Sequence, residues 1–172
     1  MRVAARPVLE RFLQREAVSA SEPVAVELGF GIDVALPADA GTIRFVGYVD
    51  RVDRAPNGTT MITDYKTGRP RSQAEVDIDR QLTAYAYAAA RSALHDPATS
   101  DVIPPAGRLC LYFADGTEVS TTRTAGDLEV FERDLVAMAT SARRREFDAR
   151  PTPGRCRWCE YRGQCREAIP TE

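Results

Sequence analysis

Asp64 and Lys66 stand two residues apart in Met61-Ile62-Thr63-Asp64-Tyr65-Lys66-Thr67-Gly68, a stretch patterned as a β-strand running into a loop. Residues i and i+2 of a strand project from one face, so a carboxylate and an ammonium share a rigid platform there. Lys66 is the only lysine in the 172 residues; the remaining basic residues are all arginine. A compact amine whose pKa falls on burial suits a site that a broad, permanently charged guanidinium fork does not. Such a pair can hold a metal ion on the carboxylate and orient a water for attack with the amine. On these residues alone, an ordinary strand ending in a solvated charge pair is the plain alternative.

Two further motifs flank the pair. Upstream lies Gly47-Tyr48-Val49-Asp50-Arg51-Val52-Asp53, and downstream lies Gln81-Leu82-Thr83-Ala84-Tyr85. Gln81 and Tyr85 are spaced i, i+4, which places them on one helix face. A core aromatic beside a surface amide is the bland reading of that spacing. Taken in order, the three motifs resemble those of the RecB-like branch of the PD-(D/E)XK nuclease superfamily: a G-x-x-D-r-v-D strand, a D-Y-K-T-G strand and a Q-x-x-x-Y helix. The match spans roughly residues 25 to 90.

The resemblance implies a fold and a chemistry. The fold is α/β with a restriction-endonuclease-like αβββαβ core, a mixed sheet flanked by helices. The chemistry is metal-dependent phosphodiester hydrolysis, which needs an aligned nucleophile and positive charge on the phosphoryl oxygens. Asp50 and Asp64 would bind Mg²⁺ or Mn²⁺ by hard oxygen ligation. The Tyr65 backbone carbonyl would be a further ligand, Lys66 would orient or deprotonate the attacking water, and Gln81 and Tyr85 would position the scissile strand or the lysine. This chain departs from the pattern in one respect. Relatives often carry a metal-binding His on the first helix, where this chain has Arg6; Glu10 and Glu27 are the candidate substitutes. The sole histidine, His95, falls after the Gln-Tyr helix and reads as a helix-end residue with no chemical role.

The elements that must hold these residues follow from periodicity and turn chemistry. Pro7 opens a helix over 7–19 with an apolar stripe of Val8, Leu9, Phe12 and Leu13. Strands are expected over Val24–Leu36, Thr42–Arg54 and Thr59–Lys66, an antiparallel meander. A two-residue Asn57-Gly58 hairpin loop would pair Asp50 with Tyr65 and set the two aspartates on opposite faces, because a one-residue slip reverses every side chain. One site for both aspartates therefore requires an odd-numbered loop or a bulge between them. Arg69–Asp77 reads as a polar loop, and Asp77 or Asp79 as the cap of a helix to about Leu94 with Leu82, Ala86 and Ala89 or Ala90 inward. A buried strand over Arg108–Phe113, its partner over Glu118–Arg123 and a helix over Asp127–Glu146 complete the core.

The divide is expected between a nuclease core over 1–150, lacking an N-terminal part, and a Cys-rich tail over 151–172 without helix or strand period. Cys156, Cys159 and Cys165 resemble the C-terminal part of the iron–sulfur staple of AddB-like nucleases. That resemblance implies a [4Fe–4S] cluster in the complete protein, with the fourth cysteine outside this chain; zinc, a disulfide and free thiols remain the alternatives. Cys110, within Leu109-Cys110-Leu111, reads as a small buried hydrophobe.

Net charge is −2, so bulk charge does not announce a nucleic acid. Its distribution does: eight Arg face Glu146, Asp148 and Glu160 between Arg143 and Arg166, and Arg143, Arg144, Arg145, Arg155 and Arg157 are the candidate DNA contacts. A solvated Arg-rich helix end is the alternative. No apolar run approaches the ~20 residues that span a bilayer, and no secretory signal pattern opens the chain, which points to a cytoplasmic protein without a membrane partner. The combined expectation is the DNA exonuclease domain of a bacterial helicase–nuclease that processes DNA ends for recombination and repair. No phosphate-binding Walker motif is present, so the motor would lie elsewhere on the polypeptide or on a partner subunit. A stand-alone CRISPR-associated type exonuclease and a catalytically silent DNA-binding scaffold of the same fold are the competing readings.

Overall fold

The computed structural model describes residues 5–37 and 40–170. Its elements run α1 (Ala5–Val18), β1 (Glu22–Ala35), β2 (Thr42–Arg54), β3 (Thr60–Lys66), α2 (Gln73–Asp77), α3 (Arg80–Ala90), β4 (Ala106–Phe113), β5 (Glu118–Thr121), α4 (Ala125–Arg143) and α5 (Pro153–Trp158). They form two compact units, one reaching to Val136 and one beginning at Ala137.

A five-stranded sheet in the order β1-β2-β3-β4-β5 carries the first unit. Neighbours are antiparallel except β3 and β4, which run parallel. Parallel strands need a crossover, and α2 and α3 supply it. This is the expected α/β architecture, with αβββαβ as its first six major elements. Leu109 to Phe113 on β4 are buried in succession, as expected of an interior strand covered on both faces.

Consecutive strand residues point to opposite faces, and Asp64 and Tyr65 show which element covers each. Asp64 meets Tyr85 of α3, where the apolar core gathers Val52, Ile62, Leu82, Ala86, Ala89 and Leu111. Tyr65 meets Phe12 of α1, their rings edge-on at 5.9 Å. Polar ties fasten α1 to its face: Arg15 pairs with Glu118 at 3.2 Å, and Glu16 with Arg51 at 2.8 Å. The expected apolar stripe is only half used. Val8 and Phe12 are half-buried, whereas Leu9 and Leu13 are exposed and α1 buries no residue fully.

The hairpin joining β2 and β3 has an odd loop. Register runs from Arg54↔Thr60 to Arg51↔Thr63, and one step further sets Asp50 opposite Asp64. The Ala55 N–H donates to Thr59 O at 2.9 Å, leaving Pro56-Asn57-Gly58 as a three-residue turn. Gly58 closes it at φ +83°, a left-handed conformation that costs glycine little.

Alternation also breaks one strand over. Val49 and Val52 both enter the core, though three residues apart, so β2 changes face between them. The break falls at Asp50. Its register partner on β1, between Val26↔Arg51 and Leu28↔Val49, is Glu27, which adopts a left-handed φ of 49°. Gly47, three residues before, is required by packing. A methyl group there would sit 2.6 Å from the Phe30 ring.

Three expectations need correction. Arg69–Asp77 is not all loop: α2 forms because Ser72 and Glu75 make a reciprocal capping box at its start. The helix after it stops at Ala90, short of Leu94, since Ser92 turns left-handed at φ 53°; Leu94 still reaches the core. The tail is not without helix either. Thr152 caps α5, with Pro153 at its first turn, where a missing N–H costs nothing.

Candidate active site

Strand β3 delivers Asp64 and Lys66 to one face, and α3 brings Gln81 and Tyr85 over them. Asp79 sets the start of α3: its carboxylate caps the Leu82 N–H at 2.8 Å and is held by Arg71 at 2.5 Å. The result is a closed ring of four side chains. Lys66 Nζ lies 2.5 Å from Asp64 Oδ2 and donates to Gln81 Oε1 at 2.7 Å. Gln81 Nε2 donates to the Tyr85 hydroxyl at 2.6 Å, and that hydroxyl donates to Asp64 Oδ1 at 3.2 Å.

Asp50 completes the cluster from β2. Its Oδ2 accepts the Tyr65 backbone N–H at 2.9 Å, Asp50 lying one residue and Tyr65 two residues beyond the last paired rung of the ladder. The structure thus gathers Asp50, Asp64, Lys66, Gln81 and Tyr85, with the Tyr65 backbone joined to them through Asp50.

Burial sets the electrostatics. Asp64 is 1 % exposed, and loss of hydration raises its pKa above the ordinary carboxylate value. Contact with Lys66 opposes that rise, the charge of Asp50 adds to it, and the Tyr85 hydroxyl opposes it. Burial, reinforced by the charge of Asp64, also pushes the Tyr85 phenol up, so it stays a proton donor. Asp64 Oδ2 is buried and is engaged by the Lys66 amine alone.

That buried carboxylate is what a hard cation would use. Mg²⁺ keeps several waters and takes only one or two carboxylates from the protein. Asp50 and Asp64 meet that requirement. Among the described residues no group of three or more His, Cys, Asp or Glu is poised to hold a metal. The candidate substitutes for a first-helix ligand do not join the pair. Arg6 and Glu10 pair with each other at 2.8 Å on the exposed side of α1, and Glu27 is exposed. His95 lies beyond α3 in an isolated bridge with Val102, its Nδ1 3.2 Å from Ser100 O.

A family model, that of the PD-(D/E)XK nuclease superfamily, matches residues 1–166. The chain belongs to that superfamily. Nucleases of this superfamily generally use divalent metal ions, in keeping with the two carboxylates here. The chain is also 37% identical over 79 aligned positions to one subunit of an ATP-dependent helicase/deoxyribonuclease of Desulforamulus reducens, an alignment covering 36% of this chain and 7% of that one. The chain thus corresponds to a small part of the length of this curated relative. In fold it is similar to the crystal structure of SSO0001, with a TM-score of 0.55 and 15% identity, covering 96% of this chain and 70% of that one.

The other half of the nuclease motif does something the sequence reading did not assign. Arg51 and Asp53, both buried, form a forked ion pair at 2.7–2.9 Å, and Arg51 also reaches Glu16 and the Tyr65 hydroxyl. They hold α1 to the sheet on the face away from Asp64. Their i, i+2 opposite charges within an apolar strand were the available signal.

In the second unit, Cys156 is buried and accepts the Ile169 N–H at 3.5 Å, Cys159 is exposed and Cys165 is half-buried. All are free thiols, and they do not form a metal-holding group. Three thiols fall short of the four a [4Fe–4S] cluster takes, so the described residues do not by themselves fit one. Cys110 is buried in the first unit, and loss of hydration pushes its thiol up to about 12. Of the candidate DNA contacts, Arg144 pairs loosely with Glu146 at 3.9 Å, Arg155 donates to Arg150 O at 3.2 Å and Arg157 stacks on Trp158 at 5.5 Å. Arg143 ends α4 and Arg145 follows at φ 57°.

Proposed function

We propose that this nuclease domain hydrolyses DNA phosphodiester bonds in a metal-dependent exonuclease reaction, as part of a bacterial helicase–nuclease that processes DNA ends for recombination and repair. The observation that carries this is the closed ring of Asp64, Lys66, Gln81 and Tyr85 with Asp50 set across from it. Asp50 and Asp64 would hold Mg²⁺ or Mn²⁺, which supplies charge for the phosphoryl oxygens and lowers the pKa of bound water. Lys66 holds its amine beside the buried acid and orients the attacking water. Gln81 fixes Lys66, and Tyr85 fixes both Gln81 and Asp64. The name of the curated relative supports a helicase motor on the same polypeptide or on a partner subunit. The arginines of 143–157 add backbone attraction for DNA. A [4Fe–4S] cluster on Cys156, Cys159 and Cys165 would need a fourth thiolate from outside this chain, which iron analysis and visible absorbance of the full natural protein will test.

The decisive assay follows an end-labelled DNA strand incubated with the full natural protein and Mg²⁺ or Mn²⁺. Removing the amine in Lys66→Ala is expected to lower cleavage by at least about 100-fold while the fold, read by circular dichroism, is retained. Full activity in that variant overturns the reading. Circular single-stranded DNA is expected to resist, and its cleavage would replace the exonuclease mode with an endonuclease one.

The competing reading is a silent DNA-binding scaffold of the same fold. Its signature is binding without cleavage under every divalent metal.

A further inference from the structure

Lys66 separates two cavities of opposite character. One, of about 320 Å³, lies between α1 and the ends of β3 and β4, and its walls are Val8, Leu9, Phe12, Tyr65, Tyr112 and Ala114. The other, of about 420 Å³, is lined by Arg69 and Arg71 with Gly68 and Phe113. Both also take Tyr65, Lys66 and Thr67 as walls, so they adjoin at the end of β3 that carries the lysine of the ring described above.

We infer that the apolar cavity is a nucleobase subsite for a single-stranded DNA end, with the flanking phosphate lying toward Arg69 and Arg71. The inference rests on the nuclease reading and adds the grip on the strand. Several observations converge on this occupant. A nucleic acid strand alternates a flat apolar ring with an anion at close spacing, and the two cavities present hydrocarbon and guanidinium on either side of one residue. At about 320 Å³ the apolar cavity is at the small end of ordinary ligand sites, about 300–1,000 Å³, which suits a single heterocycle rather than a peptide segment.

Phe12, Tyr65 and Tyr112 stand edge-on to one another at 5.8–6.5 Å, a preset aromatic wall of the kind on which bases stack without sequence preference. The Tyr65 hydroxyl is taken by Arg51 and one face of Tyr112 by Arg15 at 4.9 Å, so the wall is rigid. Arg69 and Arg71 are tethered by Glu75 and Asp79 but remain 79% and 40% exposed, open to a phosphate. A base can enter such a cavity only when unpaired and unstacked, which makes the substrate a single strand.

The test is an abasic scan. Short strands carrying one abasic nucleotide at successive positions from the end are bound to the full natural protein, with a chelator present so that none is cut, and affinity is read by fluorescence anisotropy. One position is expected to weaken binding about tenfold when its base is removed. Leu9 is 58% exposed at the cavity wall, so Leu9→Trp adds bulk without emptying the core. That variant is expected to bind the intact strand about tenfold more weakly and to lose the position dependence, with its melting temperature kept. Tight binding with a flat scan overturns the subsite and leaves the nuclease reading standing. No binding and no cleavage of single strands overturns both. If Leu9→Trp lowers the melting temperature of the full protein while DNA binding is untouched, the cavity houses a protein segment and the inference is wrong.

Discussion

At the scale of single residues, the ring around Lys66 is closed by point contacts to one small cation. Its amine sits within hydrogen-bond distance of Gln81 and within 2.5 Å of Asp64. Lys66→Arg is therefore expected to lose activity about as fully as Lys66→Ala, measured in the same end-labelled assay, because the fork cannot reproduce a point contact. The raised pKa of Asp64 gives a pH signature. The group must be ionised to serve a cation, so cleavage is expected to fail on the acid side at a pH where an exposed carboxylate is still charged. For stability the sign is opposite. A carboxyl whose folded pKa lies above its unfolded value gives stability at low pH that is lost as pH rises from the unfolded value through the folded one. Asp64→Asn should thus keep or raise the melting temperature at neutral pH while abolishing cleavage; a marked fall in stability would contradict the account of its burial. Asp64 and Lys66 were legible as a pair because chemistry-bearing residues at i, i+2 announce themselves, whereas Asp50 was reached through the resemblance of its motif. The left-handed turn at Glu27 was not, since nothing in a glutamate's type foretells a positive φ.

Among the elements, the β2–β3 hairpin decides whether the two aspartates meet. Deleting Asn57 would convert the three-residue loop into a two-residue one, reverse the faces of one strand against the other, and separate Asp50 from Asp64. Cleavage is expected to vanish in that deletion, whereas Asn57→Ala keeps the count and should keep activity. The need for an odd loop or a bulge followed from arithmetic on the sequence, and the structure takes the odd loop. The change of face at Asp50 did not, because it depends on how β1 and β2 bend together. The clamp of α1 was hidden for a similar reason: Glu16 finds Arg51 only in three dimensions. Arg51→Ala leaves Asp53 buried and unpaired and is expected to cost about 3 kcal/mol, read by urea denaturation. The short helix α2 escaped notice because its stretch is polar throughout; the Ser72 and Glu75 spacing was the overlooked sign.

For the whole molecule, a net charge of −2 must be reconciled with a polyanionic substrate. The local excess of arginine over 143–157 offers attraction for such a substrate. Replacing Arg144, Arg155 and Arg157 by Gln is expected to weaken DNA binding uniformly across sequences and to flatten the salt dependence by about one unit of slope per lost contact. The rate of cleavage at saturating DNA should stay unchanged. No helix among the described residues is long and apolar enough to cross a membrane.

Tyr65 touches both faces of the sheet at once. Its amide rests on Asp50, its hydroxyl on Arg51, and its ring on Phe12 and Tyr112. Any displacement of α1 thereby reaches an acid of the site across a lever one residue long.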